Sequence, residues 1–178
     1  MSSYPQAYID YLIYFHAERD YFECHEVMEE YWKEHPGDPL ASCYVGLIQI
    51  AVALYHQRRN NLNGAQKMMS SAITNLTDGG MSALGLDPEL LKAMLQERLQ
   101  QLLNPNNKYE DLNLPLTDAQ LVAECRKRCT ESSLHWQCPS DFSNTFVIHK
   151  HRLRDRSNVI AEREQSRMTK AQQRGRTS

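Results

Sequence analysis

The sequence predicts an all-α protein, a compact bundle of five to six helices followed by a basic C-terminal extension. Apolar residues recur at helical spacing along most of the chain, whereas the alternation typical of strands is nearly absent. A shift of 41 residues also superposes the apolar pattern of residues 9–32 on that of residues 50–73. This repeat indicates two helix hairpins that resemble tetratricopeptide-type pairs, which a further helix completes into a bundle.

The first five helices are bounded by local signals. Four of them are predicted from apolar periodicity, at residues 5–17, 21–35, 40–58 and 63–76. The triplet Asp78-Gly79-Gly80 is expected to break the chain. A fifth helix is predicted to begin after Asp87, a favourable N-cap followed by Pro88 in the first helical position, and to end near residue 104.

The remainder of the chain has weaker signals. Thr117 or Asp118 can cap a sixth helix that reaches about residue 130. Residues 131–148 are predicted to be irregular. Residues 153–168 have a helical composition with little apolar face, as expected of a terminal helix in solvent.

Charge divides the chain into an acidic body and a basic tail. Residues 1–148 carry a net charge of −8 and residues 149–178 a net charge of +6, which sum to −2. We therefore expect a helical core at 1–104, an additional helix and a cysteine-containing segment at 105–148 packed on it, and a partly helical or disordered tail. The chain has no signal-peptide pattern and no apolar run of about 20 residues, so the expected location is the cytoplasm, with no membrane segment.

The second helix places a carboxylate within its apolar face. On a helical wheel His25 and Glu29, one turn apart, share an arc with Trp32, while Glu26 lies nearest its border. A buried carboxylate without a partner is costly, so the sequence predicts that Glu29 is paired.

The third helix has a complementary polar line. It is apolar almost all round, as expected of the central helix of a bundle, except for Ser42, Gln49 and His56 at intervals of seven. The small residues Gly46 and Ala53 border this line and permit a close approach. The line is therefore predicted to face the polar pair on the preceding helix.

These two helices resemble the domain-of-unknown-function family 309. The family's His-Glu-x-x-Glu-x-x-Trp segment is matched by His25, Glu26, Glu29 and Trp32, and its Gly-Leu-Ile-Gln-x-Ala-x-Ala-x-Tyr-His segment by Gly46, Gln49, Tyr55 and His56. The resemblance covers about residues 10–80. It implies an all-helical bacterial or archaeal fold and no assigned activity.

We call His25, Glu26, Glu29, Trp32, Gln49, Tyr55 and His56 the polar core site. Two interpretations of this site stay open at the level of sequence. In the first, the side chains form a structural network in a noncatalytic module that binds a protein partner, with a homodimer as one option. In the second, a divalent metal ion is bound for a hydrolytic reaction. His25 and His56 would then be ligands, Glu29 a ligand or general base, and Gln49 a support. Neither interpretation specifies a cofactor.

A second group with the chemistry of zinc ligands begins on the sixth helix and continues in the loop after it. It consists of Cys125, Cys129, His135 and Cys138. Structural zinc sites usually contain two tight pairs of ligands, and here the basic run 126–128 separates the first two cysteines. Buried free thiols are the alternative interpretation.

The tail carries a cluster of cations that begins with Lys150, Arg152, Arg154 and Arg156. Such a cluster attracts phosphate groups, so nonspecific contact with nucleic acid is one hypothesis. The other is a solvated terminal helix that docks on the acidic surface of the chain itself or of a partner.

Overall fold

The computed structural model describes residues 3–153, 165 and 167–169. Within these residues all regular elements are helical, and one isolated antiparallel bridge pairs Leu86 with Leu116. The predicted all-α bundle is confirmed. The chain divides into two units, Met1–Ile148 and His149–Ser178. Among the described helices, none is both long enough and apolar enough to cross a membrane.

The first unit begins with two helix hairpins. Their helices are α1 (Gln6–Ile13), α2 (Tyr21–Glu34), α3 (Ala41–Arg58) and α4 (Leu62–Asn75). A π-helical turn over Tyr14–Glu18 extends α1 up to the first reversal of the chain. These elements confirm the four helices predicted from periodicity.

Shorter and later helices complete the fold. In the first unit they are α5 (Asp78–Ala83), α6 (Pro88–Leu102), α7 (Ala119–Glu131) and α8 (Thr145–Ile148), and in the second unit α9 (Lys150–Leu153). Asp87 and Asp118 cap α6 and α7 as predicted, because each side chain accepts a hydrogen bond from an amide of the first helical turn.

Helix α3 lies at the centre, packed against α2 on one side and α4 on the other. Its residues are buried almost all round, and Leu47, Ile50 and Leu54 are inaccessible to solvent. Gly46 allows the close approach of α4, since a Cβ atom at this position would lie 2.8 Å from the Leu76 side chain. The predicted central helix is thus confirmed, and its small-residue side faces α4.

The turns of the two hairpins are built alike. Arg19 and Asn60 both adopt the left-handed conformation, with φ of 51° and 63°. The next residue, Asp20 or Asn61, accepts a hydrogen bond from the amide three residues later at 3.1 Å. The turns therefore follow the 41-residue repeat, while the likeness to tetratricopeptide pairs stays a prediction.

The predicted chain break at residues 78–80 is wrong, because this segment starts α5. Thr77 caps the helix by accepting a hydrogen bond from the Gly80 amide at 3.1 Å. A Cβ atom at Gly80 would overlap Cys43 Sγ on α3, whereas one at Gly79 would meet nothing within 4 Å. Glycine at position 80 therefore serves close packing rather than a break.

Residues 109–117, which we call the strap, connect α6 to α7 and return across the bundle. Leu112 and Leu114 anchor the strap in the core, where they are 4% and 3% exposed. Near its end, the Thr117 amide donates to the Gly85 carbonyl at 2.7 Å. The strap thereby brings polar residues of the C-terminal half onto the turns of the hairpins.

Candidate functional site

The polar pair predicted on α2 is formed, but at the edge of the core. His25 Nε2 lies 2.9 Å from Glu29 Oε2, and both side chains are 31% exposed. His25 Nδ1 lies 3.4 Å from Glu26 Oε1. Lys33, which was not predicted, contacts Glu29 Oε1 at 2.9 Å and lies one further turn along the same helix. Glu29 is therefore paired as expected, by partners on its own helix and in partial contact with solvent.

The polar line of α3 points to α4 instead of α2. Gln49 Oε1 accepts a hydrogen bond from Asn75 Nδ2 at 2.8 Å, and Ser42 Oγ donates to the carbonyl of Asn75 at 2.5 Å. His56 Nδ1 lies 3.3 Å from Asn61 Nδ2 in the second hairpin turn. Burial and the nearby Arg59 guanidinium lower the pKa of His56. The predicted orientation of this line is wrong.

The described side chains consequently do not form the predicted polar core site as one cluster. Tyr55 is buried with its ring 6.2 Å from that of Phe22, and Trp32 is half-buried against the core. Within the described residues, no three His, Cys, Asp or Glu side chains are placed to hold a metal ion. The predicted metal grouping of His25, Glu29 and His56 is not formed.

An acidic groove lies beside the His25–Glu29 pair. It has a volume of about 480 Å³, and it is lined by Asp10, Tyr14, Glu23, Glu26, Val27, Glu29, Glu30 and Lys33. Five of these eight residues are acidic and one is basic. The helical spacing of α2 produces this arrangement, since residues three or four positions apart share a face.

The carboxylates around the groove affect the pKa of Tyr14. Burial of the phenol is the main cause of its raised pKa, and the carboxylates of Glu23, Glu18 and Asp10 raise it further. A negative potential therefore extends over the concave face between α1 and α2, which favours positively charged ligands.

The cysteines of α7 do not form the predicted zinc site with His135 and Cys138. Cys125 and Cys129 are buried free thiols, while Cys138 is half-buried and His135 is exposed. Burial, followed by the neighbouring Cys129, raises the pKa of Cys125 to about 12. Zinc binds the thiolate form, so this environment disfavours it and fits the interpretation as free thiols.

The cationic residues of the tail are only partly within the described chain. Lys150 and Arg152 lie on α9 of the second unit. Arg154, Arg156 and most of the predicted terminal helix lie outside the described residues.

Sequence analysis missed a buried arginine cluster, which we define as Arg19, Arg58, Asp111 and Ser140. Arg19 is 3% exposed, and its guanidinium donates to the carbonyls of Cys138 and Leu112 and to Asn113 Oδ1 at 2.7–2.9 Å. Each of these acceptors lies more than 90 residues away along the chain. The first hairpin turn is thereby fixed to the strap and to the segment that follows α7.

Arg58 brings the end of α3 to the same cluster. Its Nη1 donates to the Arg19 carbonyl at 2.8 Å and to Ser140 Oγ at 3.2 Å. Its guanidinium also lies over the Tyr21 ring, with Cζ 4.6 Å from the centroid. In sequence Arg19 lies in a polar turn and Arg58 at the end of the third helix, positions that are usually solvated. Only the tertiary contacts of their guanidiniums distinguish them.

His16, also missed, connects the π-helical turn to the strap. Its Nδ1 lies 2.8 Å from the Leu12 carbonyl, and its Nε2 accepts a hydrogen bond from the Leu114 amide at 3.0 Å. An Nε2 that accepts a hydrogen bond requires the neutral imidazole. Burial is the main cause that lowers the pKa of His16 to about 3.

Comparison with known proteins gives the family but no activity. Residues 8–68 match the family described as a domain of unknown function, DUF309. An uncharacterized Bacillus subtilis protein, YpuF, is 48% identical over 163 residues, which cover 90% of this chain and 93% of YpuF. An uncharacterized Aquifex aeolicus protein is 26% identical over 88 residues, 48% of this chain and 26% of its own length. No solved structure matches the chain significantly. The chain belongs to the DUF309 family.

Proposed function

We propose that this protein is a noncatalytic helical interaction module whose acidic groove binds a basic segment of a partner protein. The observation that carries this proposal is the excess of carboxylates over cations along one concave face of α1 and α2. Clefts lined by charge of one sign concentrate and steer ligands of the opposite sign.

The groove has the dimensions of a short peptide site. From Glu23 to Lys33 the axis of α2 rises about 15 Å at 1.5 Å per residue, the length of four to five extended residues. The opposite face of α2 is held in the core by Tyr21, Cys24 and Met28, which are inaccessible to solvent. The acidic face is therefore presented on a rigid element, which limits the entropy lost on binding.

The strength of such binding follows from the exposure of the charges. An exposed ion pair contributes about 0.2–1 kcal/mol, so several pairs give weak binding that depends strongly on salt. We expect a transient partner with a Lys- or Arg-rich segment, in agreement with the interaction module expected from the sequence.

A basic probe peptide tests this function. The full chain is titrated into a fluorescent peptide of about twelve alternating Arg and Ala residues, and anisotropy is followed at about 0.02 M and about 0.3 M NaCl. We expect binding at low salt that weakens at high salt. The triple variant Glu23→Gln, Glu26→Gln, Glu30→Gln should lower the affinity about tenfold.

A matched variant separates the groove from overall charge. Glu89→Gln, Glu97→Gln and Glu131→Gln remove the same charge from exposed positions on α6 and α7. This variant should bind the peptide as the wild type does. Equal affinities of the two triple variants would refute the proposed groove.

A further inference from the structure

Two nitrogen atoms of the Arg58 guanidinium, which carry three N–H bonds, have no acceptor among the described residues. Arg58 is 8% exposed, and its Nε and Nη2 atoms are buried without a hydrogen-bond partner. Leaving a buried donor unpaired costs about 1–3 kcal/mol, and more for a charged group. Buried polar groups of native proteins almost always have a partner, so these two atoms require one that the described residues do not supply.

The two unpaired groups form one geometric unit. Nε and Nη2 lie on the same edge of the planar guanidinium and direct parallel N–H bonds outward. This edge forms bidentate pairs with carboxylate and phosphate groups. Elsewhere on the guanidinium Nη1 has two acceptors and one face lies over Tyr21, while the second N–H of Nη2 points away from this edge.

The acidic member of the cluster, Asp111, is already engaged by other donors. Asp111 Oδ2 accepts from the Ser140 amide at 2.7 Å, while Oδ1 accepts from Ser140 Oγ and Tyr109. The same carboxylate lies 4.0 Å from Arg19 Nε. Its oxygens therefore serve other donors than the unpaired edge of Arg58.

A cavity lies on the strap side of this cluster. Its volume is about 360 Å³, and it is lined by Met94, Glu97, Arg98, Gln101, Glu110, Asp111, Leu112 and Asn113. Arg98, 8% exposed, adds a cation to the wall. Of the three carboxylates in the wall, those of Glu97 and Glu110 belong to exposed residues and are screened by solvent, and that of Asp111 lies 4.0 Å from Arg19 Nε. Asp111 and Asn113 line the cavity and also contact Arg19, so a small solute in the cavity is adjacent to the cluster.

We propose that the Nε–Nη2 edge of Arg58 binds an oxyanion, a phosphate or carboxylate group that presents two oxygen atoms to one guanidinium. The site lies where the two hairpin turns meet the strap and the segment that carries Ser140. Nε and Nη2 of Arg58 are inaccessible to solvent. Binding therefore requires the segments that cover them to shift. The oxyanion then supplies acceptors for the two parallel N–H bonds of this edge and a negative charge beside the buried guanidinium.

Ligand-dependent stability of the full chain tests the site. Thermal unfolding is measured with inorganic phosphate and with succinate, each against sodium chloride at equal ionic strength. A ligand that binds the folded state raises Tm with its concentration. Arg58→Lys keeps the charge but removes the two parallel N–H donors, so the apparent affinity for the stabilising salt should fall about tenfold or more. Arg126→Lys, at an exposed position of α7, is the matched control and should retain the full response.

The two salts identify the chemical source. A response to phosphate alone assigns the site to a phosphate group, and a response to succinate alone assigns it to a carboxylate. If neither salt stabilises the wild type beyond chloride, or if Arg58→Lys responds as the wild type does, the proposal is overturned. The second result would mean that the salts act by general exclusion from the protein surface.

A measurement on the wild type avoids dependence on the folding of a variant. Proton–nitrogen NMR spectra of the arginine Nε–H groups are recorded during titration with phosphate and with succinate. The Arg58 resonance should shift and saturate with one of the salts, while that of Arg126 stays in place. An Arg58 resonance unmoved by both salts would also refute the site.

Discussion

Ser140 holds both oxygens of the Asp111 carboxylate, with its amide 2.7 Å from Oδ2 and its hydroxyl 2.5 Å from Oδ1. Burial by itself would raise the pKa of Asp111, but the hydrogen bonds from Ser140 and Tyr109, together with the Arg19 charge, outweigh it and lower the pKa. This junction connects the segment after α7 to the strap, and through Arg19 and Arg58 to both hairpin turns. The stability of the fold therefore depends on contacts between distant parts of the chain.

Asp111→Asn should destabilise the fold by about 1–3 kcal/mol. The amide removes the charge that faces Arg19, and its NH2 group opposes the donors that converge on this position. The free energy of unfolding in urea measures the effect. Asp141→Asn is the control, because Asp141 is exposed and its carboxylate bonds to the neighbouring Ser143. The control should cost less than about 0.5 kcal/mol, and a similar loss in both variants would contradict the role given to Asp111.

His16 should make the protein sensitive to acid. Its pKa is about 3 in the folded protein, against 6.5 for an unperturbed histidine. Between these values the unfolded chain binds a proton that the folded chain excludes, so stability rises with pH and is lost as pH falls below about 6.5. The expected slope from this group is about 1.4 kcal/mol per pH unit.

Urea unfolding of the wild type and of His16→Gln at several pH values between 4 and 7 measures this contribution. Glutamine preserves polar atoms near the Leu114 amide but does not titrate. The variant should therefore be less stable at pH 7 and show a shallower loss toward pH 4. Equal slopes in the two proteins would exclude His16 as the source.

Two adjacent glycines should respond in opposite directions to alanine. Gly80→Ala places a Cβ atom against Cys43 Sγ and should destabilise the protein by about 1–3 kcal/mol. Gly79→Ala meets open space in the same helix and should stabilise it by about 0.5–1 kcal/mol. Thermal unfolding of both variants measures the difference, and a neutral Gly80→Ala would show that α3 and α5 are not in close contact.

The half-exposed His25 should matter little for stability. His25→Ala removes contacts within α2 and should cost less than about 1 kcal/mol in urea unfolding. Asn75→Ala removes the hydrogen bond to Gln49 between α4 and α3, and it should cost about 1–2 kcal/mol. If His25→Ala lowered the free energy of unfolding by more than about 2 kcal/mol, the result would support the buried network predicted from the sequence.

The fold class and most helix bounds could be predicted because they depend on neighbours along the chain. Apolar spacing identified α1 to α4, and the side chains of Asp87 and Asp118 marked the starts of α6 and α7. The pairing of Glu29 with His25 was equally local, since residues four apart meet on any helix. The two segments that resemble the family lie in α2 and α3, two of the helices predicted in this way.

Tertiary structure decided which neighbours the polar residues of the turns and of α3 have. Helical periodicity shows that Gln49 and His56 share a side of α3, but only the packing of α4 against that side gives Gln49 its partner Asn75, 26 positions away. The break expected at Gly80 became a helix for the same reason, because its place against Cys43 depends on another helix.

The arginine cluster is the clearest case of this dependence. Arg19 is an ordinary turn residue in sequence, and its acceptors lie 93 to 119 positions away. Local signals fixed the helices of this protein, because periodicity and capping act within a few residues. The strap and the segment after α7 together bury the two guanidiniums. The need of a buried charge for partners then makes this turn region a candidate binding site.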